Sequence, residues 1–311
     1  MIETHDTAVA AFDQRLDTAL RRRLAPPPRL SVAEWADRYR MLSSEASAEP
    51  GRWVTARAPY QREPMDALAD PTVERVVLMW SSQSGKTEVL LNAIGYTAHL
   101  APGPMMMVQP TIQMAEAYSK DRIAPMIRDS PKLTHLFGDP TSRSSGNTLL
   151  HKPFAGGHLT LAGSNAPAAL AGRPIARLFL DEVDRYPPSA GTEGDPVTLA
   201  VRRTATFALR KILLASTPGV KGESRIEEAF LESDQRHYHV PCPDCQTRQT
   251  LRWQNLRWKE LIAPCYACGE CGSLIGEESK HRMTANGIWI AENPGPLVRG
   301  YHLNALYSPW A

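Results

Sequence analysis

The chain lacks any stretch of about 18 consecutive apolar residues, the length needed to cross a bilayer, so no membrane span is expected. Its first residues carry Glu3 and Asp6 and no apolar core, and so do not read as a secretory leader. Net charge is nearly absent: +2 over 311 residues. Composition alone therefore does not announce a nucleic-acid binder, and any basic surface has to be local. The 9 histidines show no HExxH spacing, which removes that metalloprotease pattern. Cysteine is missing ahead of Cys242, and all 5 cysteines lie between Cys242 and Cys271. Clustered CxxC pairs without a leader point to a metal and a reducing cytoplasm rather than to disulfides. With 42% hydrophobic and 22% charged residues, the chain has enough apolar matter for a sizeable core, and its length suits one large domain plus a smaller module.

What is present is organised around Val76–Leu91, VVLMWSSQSGKTEVLL. An apolar run, Val76–Trp80, meets the small polar residues Ser81, Ser82, Gln83 and Ser84, then Gly85-Lys86-Thr87 and a helix-favouring run. The order is strand, loop, helix. The first turn of a helix has backbone N–H groups without intrahelical partners, and its dipole favours an anion there. Small loop residues let those donors reach phosphate oxygens. Lys86 adds a point charge for the β- and γ-phosphates, and the Thr87 hydroxyl suits Mg²⁺. The usual phosphate-loop pattern opens on Gly, whereas that place here is Trp80, so only Gly85-Lys86-Thr87 fits it.

The second signal is Ile175–Asp184, IARLFLDEVD. The apolar run Leu178–Leu180 delivers Asp181 and Glu182 to the C-terminal end of a strand, where ligands sit in open α/β sheets. Asp181 is placed to hold Mg²⁺, and Glu182 to orient and deprotonate an attacking water. A third apolar run, Lys211–Ala215, ends in Ser216-Thr217-Pro218, whose hydroxyls are candidates to sense a γ-phosphate. Upstream, Gln61 in Pro59-Tyr60-Gln61 offers an amide donor and acceptor for an adenine edge.

Around these lie further elements. Residues 1–30 read as a polar helix ending in Arg21-Arg22-Arg23, then a Pro26-Pro27-Pro28 linker. Ser31-Val32-Ala33-Glu34 reads as a capping box. Helices are expected over Arg62–Ala69, Thr87–Leu100, Thr111–Arg128, Asp195–Leu209 and Glu223–Ser233, and buried strands over Met105–Gln109 and Gly157–Gly163. Ser164–Pro174 reads as a loop carrying Arg173. Strands alternating with helices predict an α/β fold: a P-loop NTPase with a mainly parallel central sheet flanked by helices, plus a small zinc-ribbon module. The expected division is 1–58 helical and linker region, 59–240 ATPase domain, 241–275 zinc ribbon and 276–311 C-terminal extension.

In the cysteine module Cys242 and Cys245 form one knuckle. Cys268 and Cys271 in Cys-Gly-Glu-Cys-Gly form the second, and together they supply the four thiolates of a closed structural zinc site. Cys265 and Cys268 have the same spacing, so that alternative stays open. Between the knuckles LRWQNLRW (Leu251–Trp258) mixes arginine with tryptophan, which suits either DNA contact or ribbon packing.

Together, Pro59-Tyr60-Gln61, Ser81–Thr87, Leu178–Glu182, Leu214–Pro218 and the CPDC…CGECG pairs resemble the large subunit of tailed-phage terminases of the lambda gpA-like kind, over nearly the whole chain. That resemblance implies an ATPase motor translocating double-stranded DNA into a procapsid, coupled to a nuclease, and working in the host cytoplasm. Implied partners are the terminase small subunit and the portal, with several copies on the portal. By the resemblance Gln61 contacts adenine, Lys86 and Thr87 contact phosphate and Mg²⁺, Asp181 and Glu182 are metal ligand and base, and Ser216-Thr217 couple hydrolysis to movement. Two departures stand out. Many family members carry Arg in the loop where this chain has Ser82, so the charge-stabilising arginine is expected from Arg173 or a neighbouring subunit. Residues 276–311 show no second set of metal-binding carboxylates, so ATPase parts without a nuclease are expected. The rival readings are a helicase-like motor, and a zinc-ribbon nucleic-acid or assembly module with an inert nucleotide site.

Overall fold

The computed structural model describes residues 16–17, 28–138, 146–258, 263–295 and 297–310. The chain divides into Met1–Leu30 and Ser31–Ala311, and everything below concerns the second unit. The N-terminal arginine triplet lies outside the described residues. Among the described residues no helix is long and apolar enough to cross a membrane.

Among the described residues, the centre of the unit is one sheet of ten strands. In chain order they are β1 (Arg75–Trp80), β2 (Pro104–Gln109), β3 (His151–Phe154), β4 (Gly157–Gly163), β5 (Arg177–Asp181), β6 (Lys211–Ser216), β7 (Arg236–Pro241), β8 (Arg248–Gln249), β9 (Ile288–Ala291) and β10 (Val298–Leu303). Their spatial order is β8-β7-β10-β1-β6-β5-β2-β4-β3, with β9 also paired to β7. From β7 to β4 all neighbours run parallel, while β3, β8 and β9 pair antiparallel at the flanks. The central strands are covered on both faces, so they read as unbroken apolar runs rather than alternating ones. Every residue of β6 is buried, as are Met105, Met106 and Met107 in β2.

Helix α1 (Val32–Tyr39) opens with the capping box anticipated at Ser31 and Glu34, both halves of which form. It packs its fully buried Trp35 toward α2 (Lys86–Leu100), and the Trp35 Nε1 donates to His99 Nδ1 at 3.0 Å. Residues 31–58 are therefore part of the packed body. Other helices are shorter than the sequence pattern suggests. The run from Thr111 is interrupted by a π-turn over Ser119–Ile123, the helix after Asp195 stops at Arg202, and the loop before Pro174 contains a short helix, Pro167–Ala171.

The larger difference concerns residues 276–311, read from sequence as an extension beyond the ATPase domain. Their strand β10 inserts between β7 and β1 and pairs with β1 over its whole length. Tyr301 and Trp289 join Tyr60, Trp80 and Tyr238 in an aromatic cluster. Trp80 lies parallel to Trp289 at 6.4 Å, and Tyr301 meets Trp289 edge-on at 4.9 Å. Parallel pairing with a strand so remote in sequence leaves no local signature, which is why periodicity did not reveal it.

Gly300 marks how tightly β10 is held. Its N–H donates to the buried Asp234 carboxylate at 2.9 Å, and a Cβ there would lie 1.8 Å from the Ser233 Oγ. Ser233 is fully buried and has no room to retreat. Gly300→Ala is expected to destabilise the fold by about 1–3 kcal/mol through overpacking. Urea unfolding reads this directly, and an unchanged midpoint would contradict the insertion of β10.

Candidate active site and cysteine cluster

Strand β1 ends at Trp80, whose fully buried ring points into the aromatic cluster. This accounts for the missing first glycine: the place is the last residue of the strand, and the loop proper starts at Ser81. The loop turns through Gln83 (φ 58) and Gly85 (φ 85), both left-handed, into α2 at Lys86. The positive φ of Gly85 favours glycine, and a Cβ there would lie 2.1 Å from Gln61 Nε2 and displace that amide.

Strands β1, β6 and β5 are adjacent and parallel, so their C-terminal ends meet at one edge. There the Lys86 ammonium donates to Trp80 O at 3.2 Å, Ser81 O at 3.0 Å and Thr217 Oγ1 at 2.9 Å, and lies 4.0 Å from Glu182 Oε1. Lys86, Glu182 and Thr217 therefore converge. Asp181, the residue before Glu182, accepts from Gln109 Nε2 at 3.0 Å. Gln109 ends β2, the strand on the far side of β5, and the rule that drew attention to Asp181 applies to it equally.

Burial shapes the electrostatics. It pushes the Asp181 carboxyl up to about 6, and the Glu182 charge beside it adds to the shift. Burial lowers the Lys86 ammonium, partly offset by Glu182 and Asp181. Glu182 itself adopts a left-handed backbone (φ 53, ψ 49), a conformation costly for a side-chain-bearing residue and typical of functional strain.

An open cavity of about 860 Å³ is lined by Gln61, Ser82 to Glu88 and Glu182. It thus gathers Ser82, Gln83, Ser84, Gly85, Lys86 and Thr87 with Gln61. Gln61 reaches the loop through Nε2, 3.4 Å from the carbonyls of Ser84 and Gly85, while its Oε1 is buried without a partner. Tyr60, next to it, donates to Ser84 O at 3.1 Å.

Arg173 lies elsewhere. It precedes β5, whereas Asp181 ends that strand, so the length of the strand separates them. Its charge bears on His151 and His158, and it does not line the cavity. The arginine beside the acidic pair is Arg185, with Nε 3.9 Å from Glu182 Oε2 and a largely exposed side chain, while Arg52, Arg57 and Arg122 line the cavity itself. Sequence reasoning passed over Arg185, and also Asp184. The Asp184 carboxylate accepts from the N–H groups of Gly219 (2.7 Å) and Ile226 (2.9 Å), while its own N–H donates to Ser216 Oγ at 3.3 Å. Asp184 thereby ties the acidic turn to the Ser216–Pro218 segment.

Just after the end of β7, the sulfurs of Cys242, Cys245, Cys268 and Cys271 lie within 4.8 Å of one another. The Cys242–Cys271 and Cys245–Cys268 separations are both 3.9 Å. Four thiolates about 2.3 Å from a tetrahedral metal stand about 3.8 Å apart, so the donor set fits zinc. The two turns repeat one backbone pattern. Cys242 N–H donates to Thr247 O and Gln246 N–H to Cys242 O, while Cys268 N–H donates to Ser273 O and Gly272 N–H to Cys268 O. Gln246 and Gly272 are both left-handed (φ 62 and 74). Cys265 lies outside this set, in the short strand Cys265–Ala267. Hydrogen bonding from Ser273 lowers the Cys271 thiol to about 6, toward the thiolate a metal needs. In LRWQNLRW, Leu251 is buried and Leu256–Arg257 pairs with Cys265–Ala267, whereas Trp253 and Trp258 are exposed.

The fold is mixed α/β on a large, mostly parallel sheet, with a lysine-bearing loop and an acidic pair at one edge. Residues 47–289 match the model of the phage terminase large subunit gpA, ATPase domain. The chain is 30% identical over 292 residues to the terminase large subunit of Enterobacteria phage P21, covering 91% of this chain and 45% of that protein. It is 30% identical over 318 residues to the terminase large subunit of Escherichia phage lambda, covering 94% and 49%. It thus spans about half the length of these curated relatives. Solved structures that it partly matches include the HK97 bacteriophage large terminase (TM-score 0.48, 12% identity, 65% of this chain and 40% of that one). Another is the Thermus phage P74-26 large terminase ATPase domain (TM-score 0.39, 16% identity, 75% and 76%). The chain belongs to the phage terminase large-subunit gpA family, and the matched stretch is that family's ATPase domain.

The buried Asp181 carries a stability consequence. Its folded-state pKa of about 6 exceeds the ordinary 3.8, so folding favours the protonated carboxyl. The ionised form is a penalty that builds as pH rises from 4 to 6 and is complete above that. Asp181→Asn is expected to stabilise the ligand-free chain at pH 8, by at most about 3 kcal/mol, with the gain vanishing near pH 4. Unfolding measured at both pH values without Mg²⁺ checks this, and a variant less stable than wild type at pH 8 contradicts it.

Proposed function

We propose that the chain is the ATP-hydrolysing motor of a phage DNA-packaging terminase large subunit, built as a P-loop NTPase with a zinc ribbon. It hydrolyses ATP with Mg²⁺ as cofactor, and its work is translocation of double-stranded DNA into a procapsid, alongside a small subunit and portal and in several copies in the host cytoplasm. The observation that carries the reading is the convergence of Lys86, Thr217 and Glu182 at adjacent strand ends. The functional division is a P-loop domain over 59–240 that residues 276–311 complete, with the ribbon over 241–275.

In this reading the loop N–H groups and Lys86 hold the β- and γ-phosphates, and Gln61 meets the adenine edge. Thr87 and Asp181 hold Mg²⁺, which supplies positive charge against the charge developing on the phosphoryl oxygens. Glu182 orients the attacking water and takes its proton. Ser216 and Thr217 sit where loss of the γ-phosphate changes the partners of Lys86, and Asp184 passes that change to the acidic turn. Arg185, beside Glu182, is the arginine of this chain assigned to offset transition-state charge. A neighbouring subunit is the other source.

Glu182→Gln is expected to lower ATP turnover by about 10²–10⁴-fold while ATP still binds. Hydrolysis at the wild-type rate would remove Glu182 as the base. Stimulation of turnover by duplex DNA supports packaging, and strand unwinding supports the helicase-like rival. For the ribbon, we infer that Cys242, Cys245, Cys268 and Cys271 hold about one zinc ion per chain. Cys268→Ser is expected to lose the metal and Cys265→Ser to keep it, as read by metal analysis. Loss in both variants would contradict the assignment.

A further inference from the structure

Trp310 stands on the rim of the cavity and has no part in the chemistry above. The residue is 43% exposed, yet its position is set by polar tethers rather than by burial. The indole Nε1 donates to Glu49 Oε1 at 3.3 Å, and the Arg57 guanidinium lies over the ring, 5.9 Å from its centre. The Trp310 N–H donates to Ser308 Oγ at 3.2 Å, and that hydroxyl donates to Gln83 O, within the loop, at 2.8 Å. Ordering a half-exposed indole costs conformational entropy that buried area does not return here, so the tethers hold a face that solvent alone would leave to wander.

What that face adjoins is informative. Trp310 Cζ3 is 3.7 Å from the Cβ position of Gly85, the same point that Gln61 Nε2 approaches at 2.1 Å. Indole and amide thus flank one spot on the loop. The amide has an acceptor, Oε1, that is buried with no hydrogen-bond partner. A flat apolar face beside an unfulfilled acceptor is the recognition chemistry of a nucleobase: the ring stacks and an exocyclic amine donates.

We propose that Trp310 is the stacking platform for the nucleobase of the nucleotide held at Lys86, an inference that rests on the ATP-hydrolysis reading. With Arg57 over one face of the indole, the base takes the other. The base is adenine or another ring bearing an exocyclic amine, because Gln61 Oε1 needs a donor. Trp310 touches the base and not the reacting phosphates, so it sets affinity and base preference rather than the chemical step.

The test separates base from phosphate. Calorimetric titration of the 311-residue chain with Mg²⁺ compares ATP with inorganic tripolyphosphate, which has the phosphates and no base. Trp310→Ala is expected to weaken ATP roughly 5- to 100-fold and leave tripolyphosphate within about twofold, while Trp310→Phe keeps most of the ATP affinity. Lys86→Ala weakens both ligands. Equal losses of ATP and tripolyphosphate in Trp310→Ala make the residue a support for the loop through Ser308 and overturn the inference, as does unchanged ATP affinity. A wild-type chain that binds neither ligand overturns the nucleotide-site reading itself, and the platform with it.

Discussion

The Lys86 ammonium is held where three neighbouring parallel strands end. That single placement depends on β1, β6 and β5 being adjacent and running the same way. Parallel neighbours bring all their C-terminal ends to one edge, so residues far apart in sequence meet without any long loop reaching across. Thr217 supplies a hydroxyl to the ammonium, Glu182 a charge, and Gln109 braces Asp181 from the next strand over. Moving any one strand out of register by one residue would turn its terminal side chain to the opposite face.

The aromatic cluster fixes that placement from the other side. Trp80 ends the loop-bearing strand, and it packs against Trp289 and Tyr60. Trp289 Nε1 donates to Tyr60 O at 3.0 Å, which anchors the turn that carries Gln61. These contacts, and the pairing of β1 with β10, close a loop of about 220 residues, whose entropy cost grows only logarithmically with length. Long-range parallel pairing of this kind is slow to form. The loop that binds phosphate in the proposed mechanism therefore takes its final support from strands remote in sequence, and its geometry reports on the folding of residues 288–303.

Much of this was legible in the residues, and the reasons for the failures are physical. Strands β1, β2, β5 and β6 are largely buried, so each shows as a short apolar run that leads into polar or acidic residues. The helix after Gly85 and the capping box at Ser31 rest on local chemistry, and both formed as read. The knuckle Cys268–Cys271 is followed directly by glycine, and the left-handed Gly272 shows what that turn requires. Arg173 was placed near the acids because it is near them in sequence, and the intervening strand carries it to the opposite edge. The partners of Asp184 and the tethers of Trp310 depend on how distant segments pack, and no spacing rule encodes that. Trp80 looked like a defect in a loop pattern, but its side chain belongs to the core.

The charges at the edge of the sheet form a consistent electrostatic picture. Burial works against both Asp181 and Lys86, raising one pKa and lowering the other, so each is less at ease ionised than it is in water. Their mutual attraction does not settle the matter. The nearest carboxylate to the ammonium is Glu182 at 4.0 Å, while Asp181 is engaged with Gln109. A chelate of a divalent cation with polyphosphate carries both missing complements at once, cation for the acids and anion for the lysine. Such a ligand relieves two desolvation penalties in one binding event, whereas either ion alone relieves one and aggravates the other. In the proposed mechanism the site is therefore most stable with both halves of the chelate present, which would favour metal and nucleotide entering together.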